Sequence, residues 1–259
     1  MLQFSANLSM LFTEVPLLDR FALAKQAGFD AVEIQFPYDV DVIAIRDQLA
    51  QHQLKLVLIN LPAGDLMQGG DGITGVPGRE YQFRQALFEG LHYARVLNVP
   101  TINILAGRQP ELADLLPCLE TLAGNLRYAS REIAACGITP VIEAINGIDM
   151  PRFLLQSVAQ SQEMLEAVGR PELKIQYDCY HMAMMGEPVL QALQENLHQI
   201  GHIQFADYPN RHQPSTGTLD FKAIFAYLQQ SNYQGWTGAE YRPLGTTQQS
   251  LTWLREFRT

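Results

Sequence analysis

Four oxygen-bearing side chains that could bind a metal ion or move protons stand near the ends of four successive apolar runs. They are Glu143 in VIEAI (141–145), Asp178 in QYDCYH (176–181), Gln204 in GHIQFAD (201–207) and Glu240 in GAEYRP (238–243). A carboxylate buried in an apolar run without a partner is costly, so Glu143 needs one. If these groups meet, three carboxylates would force protons onto one another unless a cation separates them. An all-oxygen set without Cys or His favours Mg²⁺ or Mn²⁺ over Zn²⁺.

The elements that must carry these residues alternate between short β-rich runs and longer helical patterns. Strands are predicted at 2–8, 31–36, 54–61, 100–106, 139–145, 173–178, 202–207 and 236–241. Helical stretches include 16–28, 79–99, 111–137 and 221–235, several of which end at glycine. This alternation over roughly 250 residues predicts an α/β fold, a (β/α)8 TIM barrel forming one domain over 1–259. A doubly wound sheet would need a glycine-rich turn after the first strand, and residues 7–14 have none.

In such a barrel the reactive groups lie at the carboxyl ends of the strands. Neighbouring strands are about 4.8 Å apart, so inward side chains from strands five to eight can converge. The sequence therefore predicts that Glu143, Asp178, Gln204 and Glu240 meet at one face and surround a divalent cation.

The composition bounds the partners and the compartment. A formal charge of −9 and a pI near 5.1 argue against a nucleic-acid partner. Three scattered cysteines indicate a reducing compartment without a disulfide framework. The N-terminal run lacks a basic region and a cleavage pattern, and no apolar stretch is long enough for a membrane helix. We expect a soluble cytoplasmic protein without a membrane partner; the oligomeric state, including a homo-oligomer, stays open.

The chain resembles the hydroxypyruvate isomerase family, within the xylose-isomerase-like group of TIM barrels that includes 2-oxo-tetronate isomerases. The resemblance covers nearly the whole chain and is carried by residues 4–38, NLPAGD (60–65), VIEAINGIDMP (141–151), QYDCYH (176–181), GHIQFADYPNRHQPSTG (201–217) and GAEYRP (238–243). It implies that Glu143, Asp178, Gln204 and Glu240 bind the metal and that Glu143 and Glu240 also act as the acid–base pair. It also implies that His181 and Arg211 contact substrate oxygens. Epimerases of the wider group commonly have His in place of Gln204, which favours the isomerase branch.

The implied reaction interconverts small hydroxy-oxo acids, such as hydroxypyruvate or 2-oxo- or 3-oxo-tetronate, through an enediolate. A metal would polarise the substrate carbonyl, while one glutamate removes a proton and the other returns it. A hydride shift is the mechanistic rival.

Three further residues are candidates for substrate contact. Asn60 closes strand three and Asp149 follows Glu143 in its loop, although both also fit a turn-capping role. An oxo-acid needs a cation for its carboxylate, and Arg108, just after strand four, is a candidate that equally fits an exposed arginine without a function. His202 stands at the start of strand seven, at the wrong end for chemistry. The glycine-rich segment 64–80 is predicted to be a flexible lid that excludes water.

Other functions stay open. One is a sugar 3-epimerase of the same fold. Another is an endonuclease IV-like phosphodiesterase, which would require a histidine-rich multi-zinc cluster and a basic groove. The last is a barrel that binds a sugar acid without turnover.

Overall fold

Eight parallel strands form a closed barrel in which each strand pairs with the next and the last pairs with the first. The computed structural model describes residues 2–231 and 233–257. The strands are β1 (Gln3–Asn7), β2 (Ala31–Ile34), β3 (Lys55–Asn60), β4 (Thr101–Ile104), β5 (Thr139–Glu143), β6 (Lys174–Asp178), β7 (Ile200–Phe205) and β8 (Trp236–Ala239).

Helices surround the barrel on its outside. They are α1 (Leu17–Gln26), α2 (Val42–His52), α3 (Glu80–Val96), α4 (Leu115–Ala135), α5 (Val158–Val168), α6 (Cys179–Met184), α7 (Val189–Asn196), α8 (Phe221–Gln230), α9 (Thr247–Ser250) and α10 (Thr252–Phe257). In α3 the buried positions recur every three or four residues, from Phe83 through Leu87 to Ala94, which gives the helix one apolar stripe against the strands. Among the described helices, none combines the length and the apolar character needed to cross a membrane.

The predicted (β/α)8 barrel is confirmed, and each predicted strand agrees with an observed one to within two residues. Strand β7 starts earlier than predicted because a 3₁₀ turn (Leu197–Gln199) leads directly into it. Helix α8 is shorter than the predicted 221–235 and ends at Gln230. That predicted helix includes residue 232, which lies outside the described ranges. The predicted domain also includes residues 1, 258 and 259, which lie outside them as well.

The segment 64–80 is held against the barrel by several contacts. Thr74 and Val76 are buried within it. Within the segment itself, Arg79 forms an ion pair with Asp65 at 3.1 Å. The Nη1 of Arg108 donates a hydrogen bond to the carbonyl of Gly70 at 2.9 Å. These contacts favour a fixed wall of the barrel mouth over the flexible lid that the glycine content predicts.

A charged group lies inside the barrel, below the strand ends. Glu33 on β2 is fully buried and accepts hydrogen bonds from Ser5 Oγ at 2.6 Å and Gln204 Nε2 at 2.8 Å. His202 Nε2 lies 2.8 Å from the same carboxylate. Burial raises the pKa of Glu33, but His202, Ser5 and Gln204 outweigh it and hold the pKa below its ordinary value. The barrel therefore contains a paired carboxylate directly beneath the predicted site.

Gly238 on β8 provides the space for this carboxylate. A Cβ atom at position 238 would lie 2.1 Å from Glu33 Oε1, well inside van der Waals contact. Since Glu33 is held by three partners, it has no room to withdraw. The barrel interior therefore requires glycine at this point of β8.

We predict that Gly238→Ala lowers the free energy of unfolding by about 1–3 kcal/mol, because the added methyl group overpacks the buried hydrogen-bonded cluster around Glu33. The matched control is Gly124→Ala in α4, where a Cβ would meet nothing within 4 Å. That control should raise stability by roughly 0.5–1 kcal/mol through helix propensity. Urea unfolding of both variants tests this, and equal stabilisation by the two substitutions would contradict the steric role of Gly238.

Candidate active site

A cavity of about 280 Å³ opens at the carboxyl ends of the strands. This volume is at the small end of ligand cavities, which start at roughly 300 Å³. Its walls are formed by Gln35, Phe36, Asn60, Met67, Leu105, Glu143, Ile145, Asp149, Met150, His181, Arg211, Glu240 and Arg242. The cavity lies where the sequence places the reactive face.

Glu143, the last residue of β5, is the acid of the motif VIEAI (141–145). Its side chain is buried, and its Oε2 accepts a hydrogen bond from Asn103 Nδ2 at 2.8 Å. Burial is the main cause that raises the pKa of Glu143 well above its ordinary value, and the charges of Glu240 and Asp178 add to it. A carboxyl group with a raised pKa can hold or release a proton near neutral pH.

Asp178, the last residue of β6, connects the barrel to α6. Its Oδ1 accepts hydrogen bonds from the backbone N–H groups of Tyr180 at 2.7 Å and His181 at 3.3 Å, so it caps the helix. Its Oδ2 is buried and has no hydrogen-bond partner among the described residues. One oxygen of Asp178 therefore fixes the local backbone, and the other is available to a cation.

Glu240 directly follows β8 and is paired with the partly buried Arg211. The Nη2 of Arg211 donates to Glu240 Oε2, while Gln35 Nε2 and Asn7 Nδ2 donate to Oε1 at 2.7 and 3.1 Å. Burial raises the pKa of Glu240, and Arg211 opposes this without cancelling it. Burial alone would lower the pKa of Arg211, but Glu240, Asp178 and Glu143 raise it above its ordinary value. Arg211 stays charged and compensates part of the acidic cluster.

Gln204 lies below the cavity and bridges two buried groups. Its Nε2 donates to Glu33 at 2.8 Å, and its Oε1 accepts from Gln176 Nε2 at 2.7 Å. The Glu33 carboxylate fixes the amide orientation because a carboxylate can only accept here. To act as a metal ligand, the Gln204 oxygen would have to exchange Gln176 for the ion.

His181 in α6 is a neutral hydrogen-bond donor. The Asn146 amide is oriented by two backbone N–H groups, of Ile148 and Asp149, that donate to its Oδ1. Its Nδ2 therefore donates to His181 Nδ1 at 2.6 Å, which leaves the imidazole proton on Nε2. Burial, and then the charge of Arg211, lower the pKa of His181 to about 3. The Nε2–H of His181 lies 3.8 Å from Asp178 Oδ2.

The acidic cluster fits a metal ion. One ligand atom from each of Glu143, Asp178 and His181 can be chosen such that all three lie within 4.8 Å of one another. Asp178 Oδ2 is buried without a hydrogen-bond partner among the described residues, and the charges of Glu240 and Asp178 add to the burial that raises the pKa of Glu143, so a cation at this point would be favourable. Because His181 carries its proton on Nε2, the two carboxylates suit a cation better than the imidazole does.

The remaining predicted contact residues divide into two groups. Asn60 and Asp149 line the cavity, and Asp149 Oδ2 accepts hydrogen bonds from Asn146 at 3.0 Å and Tyr180 at 2.8 Å. Arg108 is not brought to the cavity, in contrast to its prediction. The loop after β4 turns back to form a bridge with Phe153, and the Arg108 side chain binds the carbonyl of Gly70 instead.

Sequence reasoning missed several residues that the site depends on. Glu33 could have been found, because it is an acid in an apolar strand like Glu143. His202 is buried in the middle of β7, and its Nε2 contacts the Glu33 carboxylate. Asn103, which holds Glu143, and Arg242, which lines the cavity mouth, gave no local signal.

Replacing Glu143 by Gln should stabilise the metal-free protein at alkaline pH. The raised pKa of Glu143 means that its ionised form opposes folding above that pKa, and the penalty disappears as the pH falls towards the ordinary value of 4.5. We expect Glu143→Gln to raise the free energy of unfolding near pH 8 by the order of 1 kcal/mol, and by less near pH 5. Chemical unfolding at both pH values tests this, with the exposed Glu166→Gln in α5 as control. A destabilised Glu143→Gln at pH 8 would show that the carboxylate is not under repulsion.

Comparison with known proteins identifies the family. Residues 21–257 match the xylose isomerase-like TIM barrel family. Hydroxypyruvate isomerase of Escherichia coli is 42% identical over 258 residues, which cover 100% of both chains. The 2-oxo-tetronate isomerase of Cupriavidus necator is 39% identical, with 98% of each chain covered. A crystal structure described as AP endonuclease, family 2, from Brucella melitensis is 38% identical and superposes over 100% of both chains with a TM-score of 0.96. The chain belongs to the family of hydroxypyruvate and 2-oxo-tetronate isomerases, within the xylose isomerase-like TIM barrels.

Proposed function

We propose that the protein isomerises a small hydroxy-oxo acid of the hydroxypyruvate or 2-oxo-tetronate type. The observation that carries the proposal is the pair of buried glutamates, Glu143 and Glu240, that line one small cavity and have raised pKa values. The sequence identity of 42% with hydroxypyruvate isomerase and of 39% with 2-oxo-tetronate isomerase supports the substrate class. A cavity of about 280 Å³ suits a small acid.

The two glutamates supply the proton transfers. Moving a carbonyl to the neighbouring carbon requires that a proton leave one carbon and another arrive at the next. Carboxyl groups whose pKa is raised above the ordinary value can do both, and Glu143 and Glu240 come from strands that are not neighbours in the barrel. We propose that one takes the substrate proton and the other returns it.

The polar groups around them position the substrate. The neutral Nε2–H of His181 donates to a substrate oxygen without competing for the proton, because its pKa is about 3. Arg211 stabilises negative charge that develops on the substrate next to Glu240. Asn60 and Asp149 line the same wall and are proposed as contacts to substrate hydroxyl groups.

The resident cation is proposed to be Mg²⁺ or Mn²⁺, held by Glu143, Asp178, Gln204 and Glu240. Support comes from the oxygen character of this set and from the unpartnered Asp178 Oδ2. When bound, such an ion polarises the substrate carbonyl and stabilises negative charge on its oxygen. Glu240 would then exchange its hydrogen bond from Arg211 for the ion, and Gln204 would exchange its hydrogen bond from Gln176.

A phosphodiesterase function is less well supported, although one similar structure carries an endonuclease description. Among the described residues that line the cavity there is one histidine, and the acidic side chains outnumber the arginines. Such a site would repel a nucleic-acid backbone. An epimerase function differs mainly in the carbon that receives the proton, and the exchange experiment below distinguishes the two.

The wild-type protein with Mg²⁺ should interconvert hydroxypyruvate and its aldehyde isomer, and in D₂O it should place deuterium on the carbon next to the product carbonyl. Glu143→Gln and Glu240→Gln should each lower kcat by several orders of magnitude, since each removes a proton-transfer group. NMR of the product measures both effects, and unfolding curves check that the variants fold. Product that retains its original hydrogen would indicate a hydride shift, and turnover of both variants at the wild-type rate would remove the glutamates from the reaction.

Chelation should abolish activity, and Mg²⁺ or Mn²⁺ should restore it better than Zn²⁺, because hard oxygen ligands favour hard ions. Atomic emission of the chelated sample verifies that the metal has been removed. Asp178→Asn should weaken the restoring effect, as it removes a ligand charge while keeping an oxygen that can cap α6. Full activity in verified metal-free protein would exclude a role for the ion.

A further inference from the structure

We propose that Arg242 binds the carboxylate of the substrate and thereby selects acids over neutral sugars. The inference rests on the proposed function, because it assigns a determinant of specificity to the same cavity. Arg242 lines the mouth of that cavity and is exposed to solvent. Among the described residues, its guanidinium has no carboxylate within ion-pair distance and no hydrogen bond to another side chain.

The charge of the cavity creates the need for such a residue. The acids Glu143, Asp149, Asp178 and Glu240 lie in or directly beneath it, and the guanidinium of Arg211 is the positive charge that contacts them. A divalent cation would reduce this excess of negative charge without reversing it. An anionic substrate therefore gains from a further positive charge at the point where its carboxylate enters.

The other basic groups near the cavity are already engaged. Arg211 donates to Glu240 and lies 3.8 Å from Asp178, so binding a substrate carboxylate would take it from these acids. Arg108 is outside the cavity and binds Gly70. His181 is neutral and offers one N–H. Arg242 is the remaining arginine among the described cavity residues, and its planar guanidinium matches a carboxylate in two-point hydrogen bonding.

The backbone of Arg242 is fixed even though its side chain is exposed. Its N–H donates to the carbonyl of Arg211 at 2.7 Å, and its own carbonyl lies 2.7 Å from His212 Nδ1. The residue also directly follows Tyr241, which is fully buried. These contacts hold the root of the side chain at the cavity mouth, on the segment that carries Glu240.

The test compares ligands that differ in the carboxylate alone. Glycerate has no carbonyl and cannot be isomerised, and glycerol is its neutral counterpart. Calorimetry should show glycerate binding to the Mg²⁺-supplemented wild type that is roughly 10- to 100-fold weaker in Arg242→Met, with no change for glycerol. Arg242→Lys should recover part of the affinity. The surface variant Arg46→Met, from an exposed pair with Asp47 on α2, controls for net charge and should bind like the wild type.

Kinetics provide the second readout. Arg242→Met should raise KM for hydroxypyruvate by a similar factor and leave kcat within about threefold, whereas loss of a proton-transfer group lowers kcat. Equal glycerate affinity in wild type and Arg242→Met, including no binding by either, overturns the assignment of Arg242. If the proposed function fails, the wild type shows neither isomerisation nor deuterium exchange. The glycerate comparison tests the role of Arg242 in that case too.

Discussion

The burial of three carboxyl groups close to one another, those of Glu143, Asp178 and Glu240, is the constraint on which the site depends. Burial raises the pKa of all three, the charges of neighbouring carboxylates add to it for Glu143 and Glu240, and the partly buried guanidinium of Arg211 compensates them in part. The fold tolerates this cost because the rest of the barrel supplies donors, such as Asn103 to Glu143 and Gln35 to Glu240. Carboxyl groups buried this close to one another favour the uptake of a cation or a proton.

The barrel separates two carboxylate environments, one inside the barrel and one at the cavity. In the lower layer, Glu33 is paired with His202 and its pKa is lowered, so it keeps its charge. In the upper layer, Glu143 and Glu240 face the cavity and their pKa values are raised. Gln204 connects the layers, since its Nε2 donates to Glu33 and lies 3.4 Å from Glu240 Oε1. The lower acid therefore orients Gln204, whereas the upper acids line the cavity.

The barrel and the positions of the four strand-end residues could be predicted from sequence, because both depend on local periodicity and on which residue ends each strand. The supporting contacts could not, because they join residues far apart along the chain, such as Asn7 with Glu240 and Glu33 with Gln204. Arg108 shows the limit of position alone: it follows a strand as the site residues do, but its loop turns away from the cavity. Likewise, the glycines of segment 64–80 indicated mobility, whereas its buried residues and its contact to Arg108 hold it in place. Glu33 could have been predicted from the sequence, because the signal that identified Glu143 was also an acid in an apolar strand.

The space above Gly238 has an evolutionary consequence. The Glu33 carboxylate on β2 fills the space that a side chain at position 238 on β8 would need, although more than two hundred residues separate the two positions in sequence. A side chain at 238 is accommodated best when the acid at 33 is shorter or absent, and loss of the acid leaves a void that a larger residue at 238 can fill. The two positions should therefore change together rather than independently.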